Sequence, residues 1–365
     1  MTPKRPKGAG AFPKAVVTPA PNPKSGADLF AALDLGTNSC RMLIARPSGN
    51  QFEVIDSFSK TVQLGAGLED TDRLSRAAMG RTVQALRVCR QKLTHHRVKH
   101  RRLVATEACR RAKNSADFLR LVKRETGLKL DIIAAEEEAR LAVISCAPLV
   151  SKKTDQLLVV DIGGGSTELI WIDLSHLKKK NKKPSIMSLY EGFGGEDGAR
   201  VVDWISVPLG VATLRDQFND VDDDVARFAL MSCHFEEALE DFAPYEMKRP
   251  QGNFQIVGTS GTITTVAASH LGLKRYDRNK VDGLRMTSNE INSVINSYLD
   301  LGPAGRRKDN RIGKDRQSLI MSGSAILQAL MRIWPTDRLS VADRGLREGL
   351  LYAQMNAAGA FEGTL

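Results

Sequence analysis

The chain has 365 residues, 42% of them hydrophobic and 26% charged, with a formal net charge of +11 at pH 7. That length points to two domains rather than one small core, and the composition is that of a globular chain, not a fibrous one. No apolar run approaches the ~20 residues of a membrane helix. The opening stretch also lacks the apolar centre of a secretory signal, so a cytoplasmic protein with no membrane partner is expected.

Residues 1–26 carry Lys4, Arg5, Lys7, Lys14 and Lys24 and no acid, amid Pro, Gly and Ala, and read as a disordered basic tail. The remaining chain is still basic, which points to a polyanionic partner. Aromatic residues, at 5%, are too few and too scattered for a base-stacking face, so no specific nucleic-acid partner is expected. The five cysteines (Cys40, Cys89, Cys109, Cys146, Cys233) contain no CxxC pair and read as reduced, mostly buried thiols.

From residue 28 the elements follow in order. LFAALDLG is a buried strand, and CRMLIARPSGNQFEVIDSFSKTVQL continues as two strands around the SGN turn at 48–50. SRAAMGRTVQALRVCRQKLTHH places Ala78, Val83, Leu86 and Leu93 at helical spacing. HRRLVATEACRRAKN reads as strand, turn and helix start, and SADFLRLVKRETG as a helix capped by Ser115 and stopped at Gly127. LKLDIIA is a strand and AEEEARLAVISCA a helix. The pattern then restarts with QLLVVDIGGGSTELIWID as strand, glycine turn and strand. The polar, glycine-containing stretch 174–205 interrupts it. A helix around VARFALMSCHFEEALEDF follows, then FQIVGTSGTITTVAASHLG as strand, turn and helix. RQSLIMSGSAILQALMRIW and GLREGLLYAQMNA are amphipathic helices, and with them a homodimer is expected. Two halves that each open on a strand ending Asp-x-Gly argue for an α/β architecture with two related lobes.

The chemistry concentrates in those two turns, 34–39 (DLGTNS) and 161–168 (DIGGGSTE). Gly36, Gly163, Gly164 and Gly165 let the backbone approach a ligand closely, and consecutive amides in such a turn form a concavity for phosphate oxygens. Thr37, Asn38, Ser39, Ser166 and Thr167 add side-chain donors. Neither turn matches the P-loop or dinucleotide patterns. A carboxylate beside a phosphate is repulsive unless a cation lies between them, so Asp161 and Glu168 are expected to hold Mg²⁺ or another hard divalent cation. Asp34 stands on the opposite side, toward water, metal or substrate. Two basic clusters, 95–102 (HHRVKHRR) and 178–183 (KKKNKK), read as solvated surface or as guides for a polyanion. No Cys or carboxylate completes a ligand set around the histidines, so no zinc site is expected.

Taken together and in order, DLGTNS, VATEACRRAKN, EEARL, VVDIGGGSTEL, IVGTSGTITTVA and VADRGLREGLL resemble the exopolyphosphatase and guanosine pentaphosphate phosphohydrolase family. That family belongs to the actin, sugar-kinase and heat-shock-chaperone superfamily, and the resemblance covers residues 28–355. It implies two actin-like (ribonuclease H-like) lobes with a cleft between them. Domain I is expected over 27–154, completed by a helix within 343–360, and domain II over 155–342, in the short form without a further helical domain. The resemblance also implies roles. Glu138 would activate the attacking water, with Glu137 as the alternative, and Arg110 would face the phosphate with Asn114 nearby. Gly258, Thr259, Ser260 and Gly261, in GTSGT, would contact the ligand from the second lobe, and Arg311, Arg316, Arg344 and Arg347 would face the cleft or bridge the lobes. The implied reaction is Mg²⁺-dependent release of orthophosphate from the end of inorganic polyphosphate. Guanosine pentaphosphate hydrolysis, a small-molecule kinase, and a non-catalytic sensor of polyphosphate or guanosine tetra- or pentaphosphate are the alternatives.

Overall fold

Each Asp-x-Gly segment closes a buried strand, and each of those strands founds a sheet. The computed structural model describes residues 28–49, 51–190, 192, 198–246, 250 and 252–361; the tail expected over 1–26 lies outside them. In the first sheet β1 (Phe30–Leu35), β2 (Ser39–Ser48) and β3 (Gln51–Thr61) form an antiparallel meander. β4 (His100–Ala105) and β5 (Asp131–Ile132) join on the other side of β1 in parallel, giving the order β3-β2-β1-β4-β5.

The second sheet repeats that plan. β6 (Gln156–Ile162), β7 (Thr167–Asp173) and β8 (Arg200–Val207) are the meander, and β9 (Phe254–Thr259) lies parallel to β6. β10 (Arg285–Met286) is an antiparallel edge strand beside β11 (Leu339–Ala342), which runs parallel to β9. The order is β10-β11-β9-β6-β7-β8. Parallel strands buried on both faces need near-continuous apolar runs, which QLLVV and FQIVG provide.

Three local expectations change. The stretch 174–205 does not merely interrupt: it contains the helix Lys182–Met187 and most of β8. β8 is an edge strand in which exposed Arg200 and half-buried Asp203 break up the apolar residues Val201, Val202, Trp204 and Ile205, so its sequence reads as polar loop. Asn114, not Ser115, occupies the cap position of the helix Ser115–Thr126, while Gly127 follows its end at φ 71°. Of the strand read in 128–134 only Asp131–Ile132 pairs.

The helix Ala135–Cys146 lies between the two sheets. Ala139, Val143 and Cys146 pack with Leu157, Val159, Ile170 and Ile172 of the second sheet, and Leu141 and Ile144 pack with Phe30, Ala32, Leu43 and Val104 of the first. The helix Leu346–Ala357 covers the same face of the first sheet through Leu350, Leu351 and Met355. The two helices touch where Gly349 meets Leu141: a Cβ at 349 would stand 2.1 Å from the Leu141 carbonyl oxygen. Backbone cannot yield as a flexible side chain can, so Gly349→Ala is expected to destabilise by about 1–3 kcal/mol. Urea unfolding would show this as a lower midpoint with an unchanged slope.

Candidate active site

The strand registers set the chemistry. In the first sheet Asp34 stands opposite Arg41, and in the second Asp161 stands opposite Glu168. Both aspartates are the penultimate residue of the strand that founds their sheet, and both partners lie seven residues on. The first lobe therefore gives its aspartate a guanidinium, and the second gives its aspartate another acid. All four residues line one cleft of about 250 Å³ between the lobes.

Burial without a paired cation disfavours the charged form. It pushes Asp161 up to about 7, with the charges of Glu138 and Asp34 adding to the effect. Glu168 is also pushed up to about 7, by burial first and then by Asp161, against hydrogen bonds from Ser166 and Ser206. Those hydroxyls donate to Glu168 Oε1 at 2.6 and 2.9 Å and fix its orientation. Asp34 is raised by burial too, with Arg41 and Arg347 opposing.

The glycine turn answers to packing on both sides. The Gly163 carbonyl accepts from Val211 N (3.0 Å), the Gly164 carbonyl from Ala212 N (2.8 Å), and the Gly165 carbonyl from Thr213 Oγ1 (3.3 Å). In a trans peptide the N–H points opposite to the C=O, so the amides of Gly164, Gly165 and Ser166 point away from the helix Val211–Gln217. On one side a Cβ at Gly210 would stand 2.5 Å from Gly164 C. On the other a Cβ at Gly165 would stand 2.4 Å from Thr37 Oγ1, and one at Gly164 3.1 Å from Asn38 N. The two turns therefore touch. Thr37 Oγ1 is buried at that contact with no hydrogen-bond partner among the described residues, which is the state of a donor facing an absent acceptor.

Glu138 sits in the first turn of Ala135–Cys146 and faces the cleft. Its Oε2 accepts from Arg110 Nη1 at 2.7 Å. Burial raises it well above the usual carboxylate range, Glu168 adds to the rise, and Arg110 opposes it. Arg110 also donates to Glu107 Oε2 (3.1 and 2.8 Å) and to the Ile133 carbonyl (3.1 Å). Its guanidinium is thus a clamp on two carboxylates rather than an open fork.

Arg110 stands behind Glu107 and Glu138 without itself lining the cleft, and Glu137, Asn114, Thr167 and Gly258 also fall outside it. Glu137, one helical step from Glu138, pairs with Arg102 at 3.0 Å on the outer side. Asn114 places both ends of its amide on the Leu74 backbone, at 2.8 and 3.0 Å. Thr167 is buried and donates to the Leu209 carbonyl at 2.8 Å. Gly258 lies inside β9, where a Cβ would meet Ile263 at 2.5 Å. In contrast Gly36, Ser39, Thr259, Ser260 and Gly261 line the cleft. Ser260 caps the helix Gly261–His270 by accepting from Thr262 N and Ile263 N, each at 3.1 Å.

The basic residues divide as well. Arg316 and Arg347 line the cleft, Arg344 lines it while paired with Asp282, and Arg311 pairs with Asp309 instead. Sequence reasoning missed Arg41 and Glu107. Strand pairing across the 34–39 turn would have found the first, and the Glu-x-x-Arg spacing of TEACR the second.

Two lobes built on one strand order, closing on a cleft at the ends of their parallel strands, are the actin-like, ribonuclease H-like α/β fold. Within that fold, residues 43–358 match the model of the Ppx/GppA phosphatase family, and the chain belongs to this family. It is 30% identical over 324 residues to a guanosine-5'-triphosphate,3'-diphosphate pyrophosphatase of Aeromonas hydrophila, covering 89% of this chain and 59% of that one. The chain thus spans 59% of that relative's length. The Ppx/GppA family member of Aquifex aeolicus superposes with a TM-score of 0.72 at 29% identity, covering 91% of this chain and 99% of that one. An exopolyphosphatase of Cytophaga hutchinsonii, at 20% identity, covers 92% of this chain and all of its own with a TM-score of 0.76, and shares the fold. Among the described residues no helix is long and apolar enough to cross a membrane.

Carboxylates that titrate at about 7 when folded and at about 4 when unfolded bind more protons in the native state across that window. Stability then falls as pH rises through it. Without added divalent cation, the Tm is expected to drop by a few degrees between pH 5 and pH 8. Glu168→Gln removes one of these carboxylates and the charge acting on Glu138, so its Tm is expected to change less over the same interval.

Proposed function

We propose that the protein releases orthophosphate from the end of a phosphoanhydride chain, with inorganic polyphosphate as substrate and a divalent cation as cofactor. The observation that carries this reading is the Asp161–Glu168 pair, a buried double acid at the register where the first lobe has Asp34 and Arg41. Its all-oxygen donor set suits Mg²⁺. Among the described residues no group of three or more His, Cys, Asp or Glu side chains is arranged to hold a metal, and that ion commonly takes one or two carboxylates and leaves its other positions to phosphate and water. Asp161 and Glu168 would hold the ion, which when bound neutralises phosphate charge and polarises the phosphorus–oxygen bonds.

The chain's own groups account for the rest. The amides of Gly164, Gly165 and Ser166, with the Thr37 and Ser39 hydroxyls, surround the terminal phosphate. Glu138 takes a proton from water as the water oxygen bonds to the terminal phosphorus and the bond to the bridging oxygen breaks, its electrons leaving with the shortened chain. A carboxylate of raised proton affinity is the better base near neutral pH. Arg110, fixed by Glu107 and the Ile133 carbonyl, holds Glu138 in place and favours its ionised form. Arg41 and Arg347 face the same cleft and oppose the accumulated negative charge.

Guanosine pentaphosphate is the second reading. It is favoured by the name of the Aeromonas relative and by the extension of the cleft along Thr259, Ser260, Gly261, Thr264 and Arg316. Orthophosphate release from polyphosphate and from guanosine pentaphosphate, with and without Mg²⁺, decides between the two. Glu138→Gln is expected to lower kcat by roughly 10²- to 10⁴-fold, and Glu137→Gln to leave it near wild type. An undiminished rate in Glu138→Gln would remove Glu138 from the mechanism. Tight binding of either compound with no turnover would make the protein a sensor instead.

A further inference from the structure

We infer that the second lobe carries a separate, non-catalytic binding site for a stretch of polyphosphate chain, at the pole of its sheet opposite the cleft. An open pocket of about 710 Å³ is lined there by Lys152, Lys153, Lys183, Arg285 and Arg338 and by no acid. Among the described residues none of these five cations forms an ion pair. The adjacent acid, Asp155, is already matched by Lys182 at 3.0 Å and by the Asn253 side-chain amide at 2.9 Å.

The site is held in shape. Buried Gln255 accepts from Ser151 N at 2.9 Å and donates to the Leu149 carbonyl at 3.0 Å, so the loop that presents Lys152 and Lys153 is pinned to β9. Lys183 is half-buried and donates to the Pro148 carbonyl at 2.7 Å, leaving its charge directed at the same space. Crowding like charges in this way is unfavourable until an anion is bound, and Lys183 registers it: burial and Lys152 together depress its pKa.

Position distinguishes this pocket from the active site. β6, β9 and β11 all run from the pocket toward the cleft, and Gln156 to Asp161 at about 3.3 Å per residue places the two roughly 15–20 Å apart. A short substrate reaches one of them, whereas a long chain reaches both and gains by effective concentration. No aromatic ring lines the pocket to stack a base, which favours bare phosphate over nucleic acid.

This inference rests on the exopolyphosphatase reading, and its test separates the two. In the variant Lys152→Ala/Lys153→Ala/Arg338→Ala, KM for long-chain polyphosphate is expected to rise about tenfold or more, with kcat and the KM for tripolyphosphate unchanged. An unchanged long-chain KM would overturn the site, as would an equal rise for tripolyphosphate. If neither protein hydrolyses polyphosphate, the functional reading fails, and binding still decides the site. Long-chain polyphosphate should bind wild type in the absence of divalent cation with a steep salt dependence that the triple variant loses. Equal binding by both proteins would overturn it, as would loss of single-stranded RNA binding alone.

Discussion

The constraint to which the rest of the structure answers is a failure of charge balance between two equivalent positions. Antiparallel pairing places the residue seven beyond each founding aspartate directly opposite it, and the two lobes fill that place with opposite charges, Arg41 and Glu168. A buried acid pair is among the costlier arrangements a fold can hold, and proteins normally neutralise it by proton, partner or metal. Here Ser166 and Ser206 orient Glu168 without cancelling its charge. Protons relieve the pair below about pH 7, and above that a cation brought in with the proposed ligand would supply the missing charge.

The glycines follow from the same requirement at closer range. Amides can replace water around a phosphate only if the turn that carries them lies between the opposing turn and its own lobe without side chains in the way. Gly164 and Gly165 meet Thr37 and Asn38 on one face, and Gly210 lets the helix Val211–Gln217 close on the other. The carbonyls are drawn to that helix and the amides are thereby turned outward. Chain reversal alone would not have needed three successive residues without Cβ atoms.

Much of this was legible in the sequence, and the parts that were not share a cause. The doubled strand–turn–strand phrase, the pairing of Asp161 with Glu168, and the helix that carries Glu138 all rest on short-range signals: apolar runs, glycine turns and i to i+7 spacing. What escaped depends on contacts between distant segments. Asn114 carries a donor and an acceptor that suit phosphate equally well, but the backbone of Leu74 lies against it. Thr167 sits in the right loop with its side chain on the wrong face of β7. Arg110 reads as a phosphate fork until Glu107 and Glu138 are seen to share it. β8 is an edge strand whose apolar residues are broken up by Arg200, Asp203 and Ser206, and only its pairing with β7 reveals it.

The helix Ala135–Cys146 ties these elements together. Because one of its faces packs on each sheet, the position of Glu138 is fixed by both lobes at once. Glu138 and Asp34 act on Glu168 and Asp161 only because the lobes are close, and the contact of Gly165 with Thr37 shows how close. Closeness of the lobes therefore increases the repulsion among four carboxylates at the same time as it brings together the groups to which the proposed reaction gives the roles of base, phosphate donors and metal ligands. Proton uptake by the raised carboxylates relieves part of that repulsion, and in the proposed reaction a phosphate with its cation would relieve it instead. In the proposed reaction, site geometry and ligand charge would in this way be coupled through one helix, and a ligand lacking either the phosphate or the cation charge would not stabilise the closed arrangement.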